Sequence, residues 1–492
     1  MLSTAMPDAR PARADTGSPL TTPGQPLPHD YPDKLDLATL RIAGVCILAS
    51  MMSILDATVV SVAQRTFILE FASTQAVVGW TMTGYTLALA TVIPLAGWAA
   101  DRFGTKRLWM GSVLAFTLGS LLCAMAPNIL LLIAFRMIQG VGGGMLMPLG
   151  FMILTRVAGP RRLGRLMAVL GIPMLLGPIG GPVLGGWLIS DFSWPWIFLV
   201  NLPVGLCAFA LAAFVFPADR PALSETLDVV GVLLLSPGLA IFLFGVSSLP
   251  GRSTLTDPRV LVPGLAGIAL IAIFVVHAWF RVDHPLIDLR LFQNPVVARA
   301  NVTAFFFAIA FFGSSLLLPS YLQQVLNQTP VQSGVHLIPQ GLGALATMPM
   351  AGILTDRKGP RNIVLIGITL IAAGCAILTV GVAGRLAYLP TLLAGLAIVG
   401  MGTGCTMMPL SGASVQALAP HQIARGSTLI SVNHQIGGSI GTALTSMVLT
   451  SEFNRSGDVS HAYAVVLAIA LAMVVLTLIP AALLPRKPAG SV

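Results

Sequence analysis

Charged residues are scarce in this chain of 492 residues: Asp, Glu, Lys and Arg together make up only 9% of it. Soluble domains carry about 25% charged residues, so this composition excludes an ordinary soluble enzyme or binding domain. Hydrophobic residues make up 55%, and the runs 166–190, 192–218 and 229–251 contain no charged residue. Each run exceeds the roughly 20 residues that a membrane-spanning helix needs. The sequence therefore predicts an all-α polytopic membrane protein.

Cysteine is also scarce, and the patterns that bind metals or nucleotides are missing. All five cysteines lie in apolar runs without a Cys-x-x-Cys pair or a nearby histidine, which favours buried, unreactive thiols over a metal or redox site. The glycine-rich loop and lysine that bind ATP phosphates are absent, and no loop is long enough for a catalytic domain. We therefore expect no enzyme, no metal and no cofactor.

The net charge of +9 does not indicate a nucleic-acid partner, because the basic residues are concentrated in loops on one side of the membrane. Hydropathy predicts fourteen spans, which give both termini the same side. Only Arg65, Arg252, Arg259, Arg385 and Arg455 lie in loops on the opposite side, so the positive-inside rule makes both termini cytoplasmic. The predicted spans are 42–64, 77–100, 108–126, 129–154, 166–189, 196–217, 228–248, 260–280, 299–321, 334–354, 362–381, 389–414, 424–450 and 462–484.

An internal repeat divides these spans into two halves. Gly97, Asp101, Arg102, Gly104 and Arg107 mark a loop after the second span. The same pattern returns after the tenth span at Gly352, Asp356, Arg357, Gly359 and Arg361. Met-Pro-Leu likewise ends both the fourth and the twelfth span. The pattern predicts a disordered cytoplasmic tail (1–37), two six-helix halves (38–217 and 299–484) separated by two inserted spans (228–280), and a short cytoplasmic tail (485–492).

Asp56 is the only acidic residue, and Arg136 the only Arg or Lys, that lies inside a predicted span rather than near its end. An ionisable group at mid-membrane costs several kcal/mol and commonly has a function. At 1.5 Å per residue, Asp56 lies about 21 Å from the inner end of its helix and Arg136 about 10 Å from the outer end of its own. Both therefore reach similar depths, and we expect them to pair. A purely structural ion pair and an Arg136 side chain that extends to the surface remain the alternatives.

Other polar and small residues in the spans are further candidates. Repeated Gly and Pro around Gly177, Pro178 and Gly181 indicate a bent, closely packed helix that acts as a hinge or serves packing alone. His434, next to Asn433, lies near mid-depth, where it either exchanges protons or makes a packing hydrogen bond. In the repeated loop, Asp101 is expected to pair with a basic residue or to cap a helix N-terminus across the interface between the halves, and a generic basic loop is the alternative. Cavity-lining candidates are Trp80, Tyr85, Gln139, Asn433 and Phe307.

Taken together, these motifs resemble the fourteen-span drug:proton antiporters of the major facilitator superfamily, the QacA/EmrB type. The resemblance covers nearly everything after residue 37. It rests on Leu55 to Val60, the loop Gly97 to Arg107, Arg136 to Gly144, Gly177 to Gly181 and Trp194 to Gly205. The last two segments are similar to the antiporter motif and to the hallmark before the sixth span.

The resemblance implies a major facilitator fold and export of amphiphilic or lipophilic small molecules by alternating access. It implies the proton gradient as energy source, Asp56 as the proton or cation site, Arg136 as its partner, and Asp101 with Arg102 in a conformational latch. The expected location is the cytoplasmic membrane, with lipid, protons and small molecules as partners and a periplasmic adaptor protein left open. A dedicated exporter of one metabolite, lipid or siderophore, and a solute importer of the same fold, remain alternatives.

Overall fold

A computed structural model describes residues 37–158, 177, 180–181, 183–217, 226–248, 257–280, 285–315, 317–384, 389–418 and 422–486. The predicted N-terminal tail, most of the predicted span 166–189, Pro178 and residues 487–492 lie outside this part. Its regular secondary structure is entirely helical, as the composition predicts.

The long helices are labelled α1 to α14 in chain order. In the first half, α1 is Leu37–Val62, α2 is Trp80–Phe103, α3 is Thr105–Ala124, α4 is Ile129–Ala158, α5 is described at 183–191 and α6 is Asn201–Val215. The pair α7 (Val229–Ser247) and α8 (Pro258–Phe280) follows. The remaining helices are α9 (Pro295–Ser315), α10 (Ile338–Lys358), α11 (Pro360–Ala383), α12 (Leu389–Gln416), α13 (Ile423–Ser456) and α14 (Val459–Ala481).

The described residues contain 12 helices that are long and apolar enough to cross a membrane. The predicted number of fourteen is therefore not confirmed. Helix α13 has 34 residues but is not among the twelve, because Ser, Thr, Asn, Gln and His interrupt its apolar residues. Helix α5 is described only at 177, 180–181 and 183–191. Cys207 differs from the expectation of buried thiols: it is exposed on α6, because that face of the helix packs against no described helix.

The two sets of six helices pack in the same way. In the first set α4 packs against α2 and α3, while α6 packs against α1 and α3. In the second set α12 packs against α10 and α11, while α14 packs against α9 and α11. Helix α13 joins the sets, because it contacts α4 and the end of α2.

The repeated loop has the same backbone conformation in both copies. Gly104 has φ 89° and ψ 145°, and Gly359 has φ 83° and ψ 162°. This region is accessible essentially only to glycine, so the spacing of the repeat places a glycine where the chain turns from α2 into α3 and from α10 into α11. The side of the molecule that carries both turns is called the loop face below, and the opposite side the far face.

Helices α7 and α8 form a hairpin that packs over the seam between α2 and α13. Along α7, Leu235 and Leu239 cluster with Ile93 of α2 and with Leu429 and Val432 of α13. Nearer the far face, Trp80 stacks on Phe244 of α7, with ring centroids 5.6 Å apart. The inserted hairpin is thus in contact with one helix from each set.

A buried carboxylate fastens this hairpin at the loop face. Asp228 is 1% exposed and accepts hydrogen bonds from the backbone N–H groups of Gly231 at 2.9 Å and Leu286 at 3.3 Å. Nε2 of His277, on α8, lies 2.9 Å from the same carboxylate. His277 is therefore a contact that holds the hairpin together.

We expect Asp228→Ala to lower the free energy of unfolding by about 1–3 kcal/mol, because it leaves buried N–H groups without an acceptor. Thermal unfolding of the purified protein in detergent measures the change. Asp191→Ala serves as the control, because Asp191 is exposed at the end of α5. Equal effects of the two substitutions would contradict a clamp at Asp228.

Candidate coupling site

Asp56 of α1 and Arg136 of α4 form a buried ion pair. Nη1 of Arg136 lies 2.5 Å from Oδ2 of Asp56, and the two side chains are 1% and 0% exposed. The apolar runs that define α1 and α4 fix the depths of both residues, so the geometry agrees with the depth estimate from the sequence. Arg136 does not extend to the surface.

Two amides complete the ring of donors around the carboxylate. Nε2 of Gln139 donates to Oδ1 of Asp56 at 2.9 Å, and Nδ2 of Asn201 donates to the same oxygen at 2.8 Å. Oε1 of Gln139 accepts from Nη1 of Arg136 at 2.6 Å. Three donors, one of them the guanidinium of Arg136, thus point at the two oxygens of this carboxylate.

A second layer of contacts orients these groups. Nε of Arg136 donates to the carbonyl oxygen of Thr81 at 3.2 Å, and Nδ2 of Asn201 lies 3.0 Å from Oγ of Ser120. Ser120 in turn donates to the carbonyl of Phe198 at 2.9 Å. The site thereby connects α1, α2, α3, α4 and the start of α6.

Aromatic rings cover the Arg136 guanidinium on two sides. Its Cζ lies 4.2 Å from the ring centroid of Tyr85 and 5.8 Å from that of Phe198. The hydroxyl of Tyr85 is 3.1 Å from Oγ of Ser53. Rings at these distances stabilise a cation and exclude water from it.

The two parts of Tyr85 are expected to contribute unequally. Tyr85→Phe keeps the ring over Arg136 and loses one hydrogen bond, at a cost of about 0.5–1.5 kcal/mol. Tyr85→Leu also loses the cation–π contact, which is worth about 2 kcal/mol when desolvated. Thermal unfolding should therefore rank wild type above Tyr85→Phe and Tyr85→Phe above Tyr85→Leu. Indistinguishable variants would show that the ring contact contributes nothing.

Small residues bring α5 against α1, the helix that carries Asp56. A Cβ atom at Gly177 would overlap Ile54, and one at Gly181 would overlap Thr58. The Thr58 hydroxyl donates to the carbonyl of Gly177 at 3.1 Å. These contacts give the glycines of the predicted hinge a packing role, whereas Pro178 lies outside the described residues.

A cavity of about 140 Å³ lies beside Asp56, between α1, α5 and α6. Met51, Leu55, Leu184 and Val204 line it, together with Asn201. Asp56 is the only ionisable residue in this lining, so the carboxylate is adjacent to an apolar space rather than to a polar channel.

The predicted latch residues lie at the loop face. Asp101 accepts from Nη2 of Arg156 at 3.1 Å, which ties the end of α2 to the end of α4. Nζ of Lys106 donates to the carbonyls of Ala213 and Phe216 at 2.7 and 2.8 Å and caps α6. Of the other latch candidates, Arg102 and Arg107 flank the turn at Gly104, Arg357 is exposed, and the side chain of Asp356 lies outside the described part.

Gly97 allows α2 to approach α13 at this face. A Cβ atom there would lie 2.9 Å from Oγ1 of Thr428 and 3.3 Å from the carbonyl oxygen of Ala424. Because these residues belong to different sets of six helices, the two sets are in direct contact at the loop face. The latch motif is therefore located at a closed part of the interface between the sets.

The remaining candidates lie outside the Asp56 site. Asn433 donates to the carbonyl of Asn301 at 2.8 Å and ties α13 to α9. Next to it, His434 is half-buried. Phe307 stacks on Phe311 at 5.6 Å beside a small cavity among α9–α12 and α14. Trp80 packs against α7, so of the five predicted cavity residues only Tyr85 and Gln139 join Asp56.

The sequence profile of the Major Facilitator Superfamily matches residues 46–442 and 300–492. The chain belongs to this superfamily. It is 63% identical to the "Multidrug resistance protein B homolog" of Mycobacterium tuberculosis, over 100% of this chain and 98% of that protein. It is 28% identical to the "Multidrug export protein EmrB" of Haemophilus influenzae, over 84% and 80% of the two chains. The predicted drug:proton antiporter branch is confirmed by these relatives.

Solved structures of the superfamily share the fold. The proton:xylose symporter XylE aligns with a TM-score of 0.63 at 15% identity, over 90% of this chain and 94% of that one. The human organic anion transporter MFSD10 aligns with a TM-score of 0.59 at 16% identity, over 89% and 99%. At these identities the likeness concerns the fold alone, which agrees with the predicted architecture.

Proposed function

We propose that this protein exports amphiphilic small molecules in exchange for protons, and that Asp56 carries the proton. The observation behind the proposal is the buried carboxylate of Asp56 with Arg136, Gln139 and Asn201 around it. Burying an acid and a base in a membrane protein is costly, and a structural role alone would be served as well by apolar packing. The relatives named for multidrug resistance and export support the same function.

The exchange follows from the number of hydrogen bonds that the carboxylate accepts. The donor ring fits the ionised form, in which both oxygens are acceptors. A proton that reaches Asp56 from the far face neutralises the carboxylate and ends its ion pair with Arg136. Nη1 of Arg136 then loses its acceptor at Oδ2 and must find a new partner, whereas Oδ1 can still accept from Gln139 and Asn201. The loss of the ion pair favours a second arrangement of the helices. Loss of the proton at the loop face restores the arrangement described above.

The loop face is cytoplasmic in this proposal, because most of the 27 Lys and Arg residues lie in the tails and in loops on that side. Both termini are then cytoplasmic, and the membrane is the cytoplasmic membrane. The proton gradient supplies the energy, so no nucleotide or other cofactor is needed. This cycle does not require a periplasmic adaptor protein, and binding of such an adaptor stays a prediction.

We expect expression of the chain in a host that lacks its own exporters to raise the inhibitory concentrations of several unrelated lipophilic toxicants. A protonophore should abolish the accumulation deficit, because it removes the proton gradient. Growth across a chemically varied panel, with and without the gene, provides the measurement.

The panel also separates the alternatives. Protection against a single compound class would indicate a dedicated exporter of one metabolite, lipid or siderophore. Increased sensitivity with increased uptake would indicate an importer of the same fold. No effect of the pH gradient on flux in everted vesicles would contradict proton coupling.

A further inference from the structure

The inserted hairpin builds one wall of a groove that opens near the far face. The groove has a volume of about 350 Å³ and lies between α2, α7 and α13. Sites for small organic ligands measure about 300–1,000 Å³, so the groove is large enough for a compact amphiphile. Leu243 of its lining belongs to an apolar cluster with Ala90 and Phe242, against which Ile436 and Ile440 pack.

Six hydroxyl side chains line this groove: Thr83, Thr86, Ser247, Ser439, Thr442 and Ser446. No ionisable side chain is part of the lining. Hydroxyls at this density are unusual for a surface that only packs against lipid tails, because polar groups at membrane depth need hydrogen-bond partners.

The direction of their hydrogen bonds determines what the groove offers a ligand. Thr86 donates to the carbonyl of Met82 at 3.0 Å, and Thr442 donates to that of Gly438 at 3.0 Å. Ser247 donates to the carbonyl of Phe244 at 3.1 Å. A hydroxyl has one proton and two lone pairs, so each of these three side chains retains only acceptor capacity toward the groove.

From this lining we infer that the groove is a binding site for amphiphiles that carry hydrogen-bond donors, such as aryl amines. Apolar side chains including Met82, Leu87 and Val246 contact the ring system, and the hydroxyl oxygens accept from the donors. The inference rests on the proposed export function in one respect: the bound amphiphile is a transported substrate.

The position of the groove connects it to the movement of the two sets of helices. Helices α2 and α13 are held together near the loop face at Gly97, whereas near the far face the groove separates them. On the loop-face side of the groove, α7 packs into the seam between α2 and α13 through the apolar clusters around Leu239 and Phe242. A change in the angle between α2 and α13 therefore changes the width of the groove, which gives the inserted hairpin a role in substrate handling.

Two probes of matched charge test the site. Ethidium is a planar cation with two aryl amino groups, and tetraphenylphosphonium is a lipophilic cation without any hydrogen-bond donor. Binding to the purified full chain in lipid nanodiscs is measured for both. For Thr86→Val together with Thr442→Val we expect an ethidium Kd that rises about 5- to 150-fold, from two lost hydrogen bonds. The Kd of tetraphenylphosphonium should change little.

Thr369→Val is the matched control, because Thr369 is exposed on α11 and donates to the carbonyl of Leu365 at 2.8 Å in the same manner. It should leave both affinities unchanged. Ser439→Phe, which fills part of the groove, should raise the Kd of both probes about tenfold or more, because the phenyl ring occupies the space of the ligand. Size-exclusion profiles and thermal unfolding check that each variant is folded.

Several outcomes would overturn the inference: no measurable binding of ethidium to the wild type, equal effects on both probes in the double variant, or full binding in folded Ser439→Phe. Failure of the proposed function gives a different result: either the wild type shows no proton-driven export, or Asp56→Asn exports at the wild-type rate, whatever the groove variants do. The binding assay itself requires neither a gradient nor transport.

Discussion

Asp56→Asn is expected to abolish proton-driven export, with a fall in rate of about 100-fold or more, the range for removal of a proton-transferring group. An amide of the same shape keeps one acceptor oxygen, but it cannot exchange a proton. The substitution also leaves Arg136 buried without its counter-charge, which costs about 3–5 kcal/mol. Export from everted vesicles under an imposed pH gradient measures the rate, and thermal unfolding measures the stability.

The loss of stability and the loss of coupling can be separated by a second variant. Asp56→Asn combined with Arg136→Gln removes both charges, so no unpaired charge stays buried. We expect this double variant to recover most of the lost stability and none of the export. Export at the wild-type rate in either folded variant would rule out Asp56 as the proton carrier.

The sequence is sufficient to predict the pairing of Asp56 with Arg136, because the depth of each residue along its helix indicates that the two side chains can meet. Each helix has ends marked by polar residues, and the rise per residue converts position into depth. Gln139 follows Arg136 by three residues, so it shares the same helix face. The fold follows in the same way from the repeated loop, whose glycines at 104 and 359 have matching backbone angles.

Asn201, the third donor to the carboxylate, and Ser120 behind it could not be predicted as part of the site. Asn201 was visible only within the hallmark before the sixth span, and Ser120 lies among the many small polar residues of these helices. The contact of Asn201 with Asp56 depends on the rotation of α6, and the contact of Ser120 with Asn201 also depends on the rotation of α3. Helices that are apolar on every face carry little periodic signal for that rotation. An asparagine at the start of an apolar span was the available signal.

Trp80 is a second residue whose packing partner could not be predicted from the sequence. The sequence predicts Trp80 as a cavity-lining residue, but the ring packs against Phe244 of α7. The placement of α7 and α8 was left open by the sequence, since both helices are apolar throughout and no repeat relates them to either half. Their location over the seam becomes clear only when the packing partners of α2 and α13 are known.

The glycines of α4 determine whether Arg136 reaches Asp56. A Cβ atom at Gly140 would lie 2.5 Å from the carbonyl oxygen of Tyr85 and 3.1 Å from Cβ of Ala88. Backbone cannot move aside as a flexible side chain can, so Gly140→Ala must push α2 and α4 apart. Overpacking of this kind costs about 1–3 kcal/mol. The displacement also moves Tyr85 away from the guanidinium and weakens the site.

Gly111→Ala provides the matched comparison, because a Cβ atom at Gly111 of α3 meets nothing within 4 Å. There the same chemical change relieves the entropic cost of glycine in a helix and should stabilise the protein by about 0.5–1 kcal/mol. We therefore expect opposite signs in thermal unfolding, and a lower export rate only for Gly140→Ala. Two shifts of the same sign would mean that close approach of α2 and α4 is not what the glycine at position 140 provides.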